Sequence, residues 1–332
     1  MDCEWNDKIF SVTAASFESL ALEVFQFQYG NNPIYKLYVD ALKIPESTVN
    51  KLAKIPFLPI NFFKSHQVTS GNFEAQAIFE SSGTGNLSRS KHFVKDLSIY
   101  LKSFTKGFEN FYGSIEEYCI LGVLPSYQER KNSSLVFMVN ELMKLSKHSG
   151  NAFYLNEGEQ LFATLQMLEK TKQKVLLIGV TFALLDFAEK KQLALSNTII
   201  METGGMKGRR EELTRDEVHQ KLKKSFGVAA IHSEYGMTEL LSQAYSFKNG
   251  IFNSPPWMKV MIRDEEDPLL VREKTNAKQL QGALNIIDLA NVHSCSFIAT
   301  EDIGRLYTDG SFEVLGRMDE TELRGCSQLV LN

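Results

Sequence analysis

The sequence is short of the residue arrangements that mark several large protein classes. Only four cysteines occur in 332 residues, Cys3, Cys119, Cys295 and Cys326, and no two stand at CxxC spacing. They suggest neither a disulfide framework nor a zinc ribbon, and reduced thiols are expected. The six histidines are equally dispersed. "HSEYGMTE" is not the HExxH of a zinc protease, so no catalytic transition-metal site is expected. The longest apolar run, "VLLIGVTFALLDFA", covers 14 residues and includes Asp186, which is too short and too polar for a membrane span. Basic blocks are absent as well. With 36 Lys and Arg against 40 Asp and Glu, the net charge is −4, and nothing tracks a nucleic-acid backbone. The polar, acidic "MDCEWNDKIF" is no secretory signal, so a cytoplasmic protein is expected.

What is present is an ordinary globular composition, 43% hydrophobic and 23% charged, enough for a large core. Residues 13–29 and 33–42 carry helical periodicity, and the prolines of "KIPFLPINFF" close that region. Residues 1–70 therefore read as a helical preface packed on a core of residues 71–332. From residue 75 the rhythm changes. "AQAIFE" reads as a strand entering a glycine-rich turn, "KHFV" as the strand after it, and Asp96 as the N-cap of a helix with an apolar stripe at Leu97, Tyr100, Leu101, Phe104, Phe108 and Phe111. Strand-like "YCILGVL", helical "SLVFMVNELMKL", short "NAFYL", helical "EQLFATLQMLEK", strand "KVLLIGV", helical "FALLDFAEKKQ" and strand "NTIIMET" then alternate. Such alternation implies an α/β fold with a mostly parallel sheet covered by helices. Thr214 and Glu217 stand at capping-box spacing ahead of a helix ending at Gly227, and strand-like "VAAIH" follows. Past residue 258 short antiparallel strands are expected, with a hairpin at Asp309–Gly310.

Three polar or glycine-rich loops follow strands: "SSGTG" after "AIFE", "TGG" after "NTIIME", and "SEYGMTE" after "VAAIH". In open α/β sheets, ligands gather at such ends. In "SSGTG", Gly83 and Gly85 let backbone N–H groups face outward, while Ser81, Ser82 and Thr84 add hydroxyls, a concavity suited to phosphate oxygens. Arg89 or Lys91 would supply the positive charge. A flexible surface turn is the other reading. In "YGMTE", Tyr235 offers an aromatic face, Thr238 a hydroxyl and Glu239 a carboxylate. Together they could stack on a base, bind phosphate and coordinate magnesium, although a strand-to-helix turn with a solvated glutamate fits the same residues.

Taken in order, these pieces resemble the adenylate-forming superfamily of acyl-CoA synthetases, luciferases and peptide-synthetase adenylation domains. "SSGTG" looks like its SSGTTG loop, "YGMTE" matches its YGxTE, and "EDIGRLYTDGSFEVLGRMDE" is similar to its late Asp, Gly-Arg, hairpin and GRxD segment. "ETGGMKGRREELTRDEVHQKLKKSFGV", "EYGMTELLSQAY" and "ELRGCSQL" most resemble the acyl-protein synthetases of bacterial bioluminescence operons, over most of the chain from about residue 55. The resemblance implies ATP and Mg2+ as cofactors and, as substrate, a carboxylic acid, a fatty acid in the branch it most resembles. An acyl-adenylate and pyrophosphate would form, and the acyl group would pass to an enzyme cysteine and on to a partner, a reductase or acyl carrier protein. By the same resemblance, Ser81, Ser82, Gly83, Thr84 and Gly85, with Lys91 or Arg89, would hold the β- and γ-phosphates. Gly204 and Gly205 would line the adenine, with Tyr235, Gly236 and Met237 against it. Thr238 would contact phosphate, Glu239 would hold Mg2+, Asp302 would grip the ribose, and Arg317 would reach the ribose or the α-phosphate.

Two departures bear on the mechanism. The loop is one residue shorter than SSGTTG, with no proline-lysine after it. In addition, 15 residues follow Arg317, where most of the superfamily continues into a mobile lid of roughly a hundred residues. A chain without a lid needs another source of thiol, and Cys326, beside Arg324, matches the place of the branch's acyl-accepting cysteine. Cys295 is the second candidate, and His232 a candidate for lining an acyl pocket. A coenzyme A ligase of the phenylacetate type, or a catalytically weak nucleotide-binding scaffold docking an acyl carrier or reductase, are the alternatives.

Overall fold

The computed structural model describes residues 2–82, 89–126, 128–204, 213–264, 266–272 and 279–318. The chain divides into two compact units. One comprises residues 1–103, 238–242 and 253–332, the other residues 104–237 and 243–252.

The first unit opens with helices α1 (Asp2–Phe10), α2 (Phe17–Asn31) and α3 (Pro33–Ala41). Helix α2 buries Phe17, Leu20, Ala21, Val24 and Phe25 along one side, the stripe its helical spacing dictates. Asn32 caps α3 through the Tyr35 N–H at 3.0 Å, with Pro33 at the first helical position, where its missing N–H costs nothing. Short β1 (Leu58–Pro59) and α4 (Phe62–Ser65) precede β2 (Ala77–Glu80) and β3 (Lys91–Val94). The last two pair antiparallel with Glu80 opposite Lys91, in a ladder of their own. The glycine-rich loop is therefore a hairpin connection, not the end of a parallel strand as the sequence order implied.

Helix α5 (Leu97–Tyr112) follows. Asp96 Oδ1 accepts the Ser98 N–H at 2.8 Å, as expected of its cap. Strands β11 (Met258–Arg263), β12 (Val271–Arg272), β13 (Gln279–Asp288), β14 (Phe297–Tyr307) and β15 (Phe312–Arg317) complete the first unit. They lie in the antiparallel order β15-β14-β13-β11-β12, with β1 parallel to β14. The β14–β15 hairpin turns where expected, with Asp309 Oδ1 accepting from Ser311 N–H at 2.9 Å and Oγ at 2.6 Å. The helical preface is fastened to the segment after β13. Buried Gln28 donates to the Asn291 and Val292 carbonyls at 3.0 and 2.9 Å and accepts the Ser296 N–H at 2.9 Å.

The second unit is built on β4 (Tyr118–Val123), β5 (Ala152–Phe153), β6 (Lys174–Val180), β7 (Thr198–Thr203), β8 (His232–Tyr235) and β9 (Ala244–Ser246), with short β10 (Ile251–Phe252). Their order is β5-β4-β6-β7-β8-β9, parallel except for β9. Every residue of β4 is buried, and all of β6 except Lys174. Strands covered on both faces read as near-continuous apolar runs for this reason. The unit also holds α6 (Ser134–Ser146), α7 (Gly158–Lys170), α8 (Thr181–Ala188) and α9 (Arg215–Phe226). The capping box is present, and Gly227 closes α9 in the left-handed conformation.

Two sequence assignments in this unit require correction. Helix α8 stops at Ala188 rather than running through Gln192, because the Lys191 carbonyl and Leu193 N–H pair with Ser225 Oγ and O, both at 2.7 Å. The eighth strand is His232–Tyr235 rather than "VAAIH". Ala229 and Ala230 lie outside any strand, and pairing begins where His232 meets Met201 and continues to Glu234 opposite Thr203.

Candidate active site

In the first unit, the glycine-rich loop leaves β2 at Ser81 and Ser82 and re-enters the described chain at Arg89. Its stem is closed by two hydrogen bonds: Ser81 N–H to the Ser90 carbonyl at 3.1 Å, and Ser90 N–H to Ser81 Oγ at 3.0 Å. Gly83, Thr84 and Gly85 lie outside the described residues. Lys91 and Arg89 each stand 3.8 Å from Glu80 and are equally exposed. Exposed pairs of this kind contribute about 0–1 kcal/mol, so either cation can leave Glu80 for an anion at small cost.

The same stem reaches Glu239, whose carboxylate accepts a hydrogen bond from the Ser90 side chain. Glu239 is only 5% exposed. Burial raises its carboxyl above the usual carboxylate range, and Ser90 and the charges of Lys64 and Arg317 pull in the other direction. Burial outweighs those pulls, and a desolvated carboxylate is the one that gains most from a bound cation.

Residues 238–242 are gripped from several sides within this unit. His92, on β3, is buried, and its Nδ1 lies 2.9 Å from the Thr238 carbonyl. A carbonyl only accepts, so Nδ1 carries the hydrogen. Burial pulls the imidazole down to about 4, and the ring is a neutral donor at physiological pH. Asn291 Nδ2 donates to the Glu239 carbonyl at 2.7 Å. Asp288 accepts four bonds, from Leu241 N–H, Ser242 N–H and Ser242 Oγ at 2.8, 3.0 and 2.6 Å, and from Ala290 N–H at 3.1 Å. Ser242 Oγ also meets Ser103 Oγ at 3.1 Å, which takes the Trp257 indole N–H at 3.0 Å. Ser90, His92, Asp288 and Asn291 carry no motif. The one sequence signal is the alternation of "KHFV", which turns His92 inward together with Val94. His92→Ala leaves the Thr238 carbonyl without its donor, and a loss of about 1–3 kcal/mol in urea unfolding is the expected result.

Asp302 and Arg317 face one another across β14 and β15. The Asp302 N–H is held by Thr300 Oγ1 at 3.1 Å. Arg317 donates through Nη2 to Glu301, whose other oxygen takes Asn61 Nδ2. The unit therefore gathers the loop stem, Glu239, Arg317 and Asp302, linked through Ser90 and the field of Arg317.

In the second unit, Gly204 and Tyr235 leave the sheet from adjacent parallel strands, next to the Thr203–Glu234 pair. Gly204 has φ +71°, a conformation glycine adopts without strain, and its carbonyl takes the Thr181 hydroxyl. The Tyr235 ring is tilted against Phe252 with centroids 5.8 Å apart. Gly236 and Met237 follow β8 directly, while Gly205 and Cys326 lie outside the described residues. His232 Nδ1 lies 3.1 Å from Tyr112 Oη, with its ring against Phe247, and burial lowers it to about 4. It is a packed, hydrogen-bonded residue. Cys295 is fully buried in the first unit, and burial pushes its thiol up to about 12, which disfavours the thiolate that a nucleophile needs.

No curated protein matches the chain. Among solved structures, ATP-bound MatB from Rhodopseudomonas palustris is 14% identical over 75% of this chain and 49% of its own, with a TM-score of 0.55. An open conformation of 2-hydroxyisobutyryl-CoA ligase, in complex with 2-HIB-AMP and CoA, is 11% identical over 93% of this chain and 72% of its own, with a TM-score of 0.67. The amide bond synthetase McbA from Marinactinospora thermotolerans is 16% identical over 73% and 48%, with a TM-score of 0.50. The chain spans about half the length of MatB, and at these identities the likeness is one of fold, the α/β core of adenylate-forming enzymes. The family profile described as "Acyl-protein synthetase, LuxE" matches residues 11–332, and the chain belongs to that family.

Proposed function

We propose that the protein activates a carboxylic acid, with fatty acids the favoured class, by joining it to AMP, and that it passes the acyl group to a protein thiol. The observation that carries this reading is the link from Ser81 through Ser90 to Glu239. It ties a loop suited to phosphate to the buried carboxylate suited to a cation, inside one unit.

Both reactants are anions, so catalysis rests on positioning and charge neutralisation. The acid's carboxylate oxygen attacks the α-phosphorus, the bond to the β-phosphate bridging oxygen breaks, and pyrophosphate leaves. Ser81 and Ser82, with Gly83, Thr84 and Gly85, hold the β- and γ-phosphates, and Lys91 or Arg89 neutralises them. Gly204, Gly205, Tyr235, Gly236 and Met237 take the adenine. Asp302 takes the ribose, and Arg317 turns from Glu301 toward ribose or α-phosphate. A single buried carboxylate fits magnesium, which takes one or two carboxylates with phosphate oxygens; Glu239 would hold Mg2+, which would supply charge neutralisation for the phosphates. His92 and Asn291 fix the backbone of Thr238 and Glu239 while the charges rearrange.

In the second half-reaction, the Cys326 thiolate attacks the acyl carbonyl, the bond to the phosphate oxygen breaks, and AMP leaves, with Arg324 favouring the thiolate. A reductase or acyl carrier protein then takes the acyl group. The test is acid-dependent exchange of pyrophosphate into ATP across fatty and aryl acids, together with hydroxylamine-labile labelling of the protein by radiolabelled acid. Fatty acids are expected to support exchange. Cys326→Ser is expected to keep exchange within about twofold and to lose the label, since a hydroxyl whose pKa lies far above the working pH is a poor substitute for a thiolate. Acyl-CoA output that survives the substitution unchanged points to coenzyme A as the acceptor. No exchange with any acid leaves only a nucleotide-binding scaffold.

A further inference from the structure

The cations assigned to the nucleotide are all engaged: Lys91 and Arg89 with Glu80, and Arg317 with Glu301. Lys64 is a different case. It is exposed on the short helix α4 and forms no ion pair or hydrogen bond through its side chain among the described residues, yet the chain around it is fixed on three sides. Before the helix, β1 runs parallel to β14 with Pro59 opposite Ala299, and the Ile60 N–H donates to the Ala299 carbonyl at 3.0 Å. At the start of α4, Asn61 Nδ2 donates to Glu301, the carboxylate that also takes Arg317. Within α4, Phe63 is buried, its ring edge-on to His92 with centroids 5.9 Å apart, and His92 holds the Thr238 carbonyl.

These anchors decide where Lys64 stands. Its N–H bonds the Asn61 carbonyl at 3.0 Å, so residues 61 and 64 lie one turn apart on the same face. Asn61 presents that face to Glu301 and, through it, to Arg317, and Asp302 is the next residue of β14. Phe63 is seated on β3, the strand that leaves the loop stem at Ser90. Lys64 therefore lies between the Arg317 end of the site and its Ser90–Glu239 end. Its charge acts on Glu239 more strongly than that of Arg317 does.

We propose that Lys64 is a catalytic residue of the adenylation step, its ammonium taking the phosphate chain of ATP between the loop stem and Arg317. The inference rests on the functional reading above, which puts a nucleotide there. As the acid's oxygen bonds to the α-phosphorus, the bond from that phosphorus to the bridging oxygen breaks, and its electron pair goes to pyrophosphate. Lys64 donates hydrogen bonds to the oxygens that gain this charge and gives up no proton. A lysine suits the task, because a compact charge on a flexible four-carbon stem can stay on the pyrophosphate as it separates. With no ion pair to break, Lys64 engages the phosphates without losing another contact.

The test compares Lys64→Met and Lys64→Arg with the wild type and with Lys54→Met, which removes another exposed lysine of the same preface and is expected to match the wild type. In pyrophosphate exchange, Lys64→Met is expected to lower kcat by about tenfold to a hundredfold. That is less than the loss of a buried charge-stabilising group, because water screens an exposed cation. Lys64→Arg keeps the charge and is expected to recover to within about threefold of the wild type. The urea midpoints of all three variants should equal that of the wild type, since Lys64 makes no contact that the fold needs. A kcat for Lys64→Met within about threefold of the wild type, or an equal loss in Lys54→Met, overturns the inference.

A second measurement separates contact with the phosphates from an effect passed through Glu239. ATP binding is titrated in EDTA, where no divalent cation links Glu239 to the nucleotide. Direct contact predicts a Kd about tenfold higher for Lys64→Met than for the wild type, the scale of one charge-assisted phosphate contact. An unchanged Kd confines Lys64 to tuning Glu239 and overturns the inference. If the wild type exchanges no pyrophosphate with any acid, the functional reading fails. The EDTA titration then decides Lys64 alone, and a wild type that binds no ATP overturns it.

Discussion

Glu239→Gln is expected to give a folded protein whose pyrophosphate exchange falls by about 10²–10³, the cost of one charge-stabilising group at a phosphoryl-transfer centre. The substitution separates charge from shape. A glutamine oxygen can still accept from Ser90, and the Asn291 bond goes to the backbone carbonyl, so the cradle of residues 238–242 is unaffected. Because burial raises the Glu239 carboxyl, a neutral amide should not weaken the fold, and the urea midpoint should stay level or rise slightly. Exchange assays and unfolding curves on one preparation read both effects. Retained exchange would remove Glu239 as the Mg2+ holder, whereas a collapse in stability would mean that the carboxylate's charge is part of the packing.

How much of this was legible beforehand depends on the range of the interaction concerned. The capping box of Thr214 and Glu217, the left-handed Gly227, the Asp309–Gly310 hairpin and the buried strands around "YCILGV" and "KVLLIGV" are local or periodic, and residue type alone specifies them. The β2–β3 ladder was not legible, because "AIFE" reads the same whether its partner is its own hairpin or a parallel neighbour. That is decided by tertiary pairing. "VAAIH" failed for a related reason: strand β8 begins where pairing with Met201 is available, not where apolar residues are densest. At the site, the resemblance placed the residues that would touch ligand but not those that hold them. His92 and Thr238 lie 146 positions apart and Asn291 and Glu239 52 apart, and neither spacing has a period or a motif. Glu234, immediately before the YGMTE motif, carries no sequence signal of its own, and only the Thr203 bond and the burial set it apart.

Asp288→Ala is the substitution expected to cost the fold most among those argued here. The carboxylate is fully buried at the end of β13, and four donors converge on it. Alanine leaves all four unmet in a site that water does not reach, and breaking a buried network of this kind costs about 3–5 kcal/mol. Burial pushes the Asp288 carboxyl up to about 6 against the pull of Ser242, Leu241 and Ala290. Its contribution is therefore greatest below the unfolded carboxyl range and declines as pH rises through about 6. The variant should lose that component, and its urea midpoint should fall less between about pH 4 and 6. Activity should follow stability here. Leu241 and Ser242 lie two and three residues beyond Glu239, so releasing them frees the segment that carries the proposed Mg2+ ligand, and exchange at pH 7 should drop even at temperatures where the variant remains folded. A variant with wild-type stability would show that the donors find water, and that the grip on residues 238–242 comes from His92 and Asn291 alone.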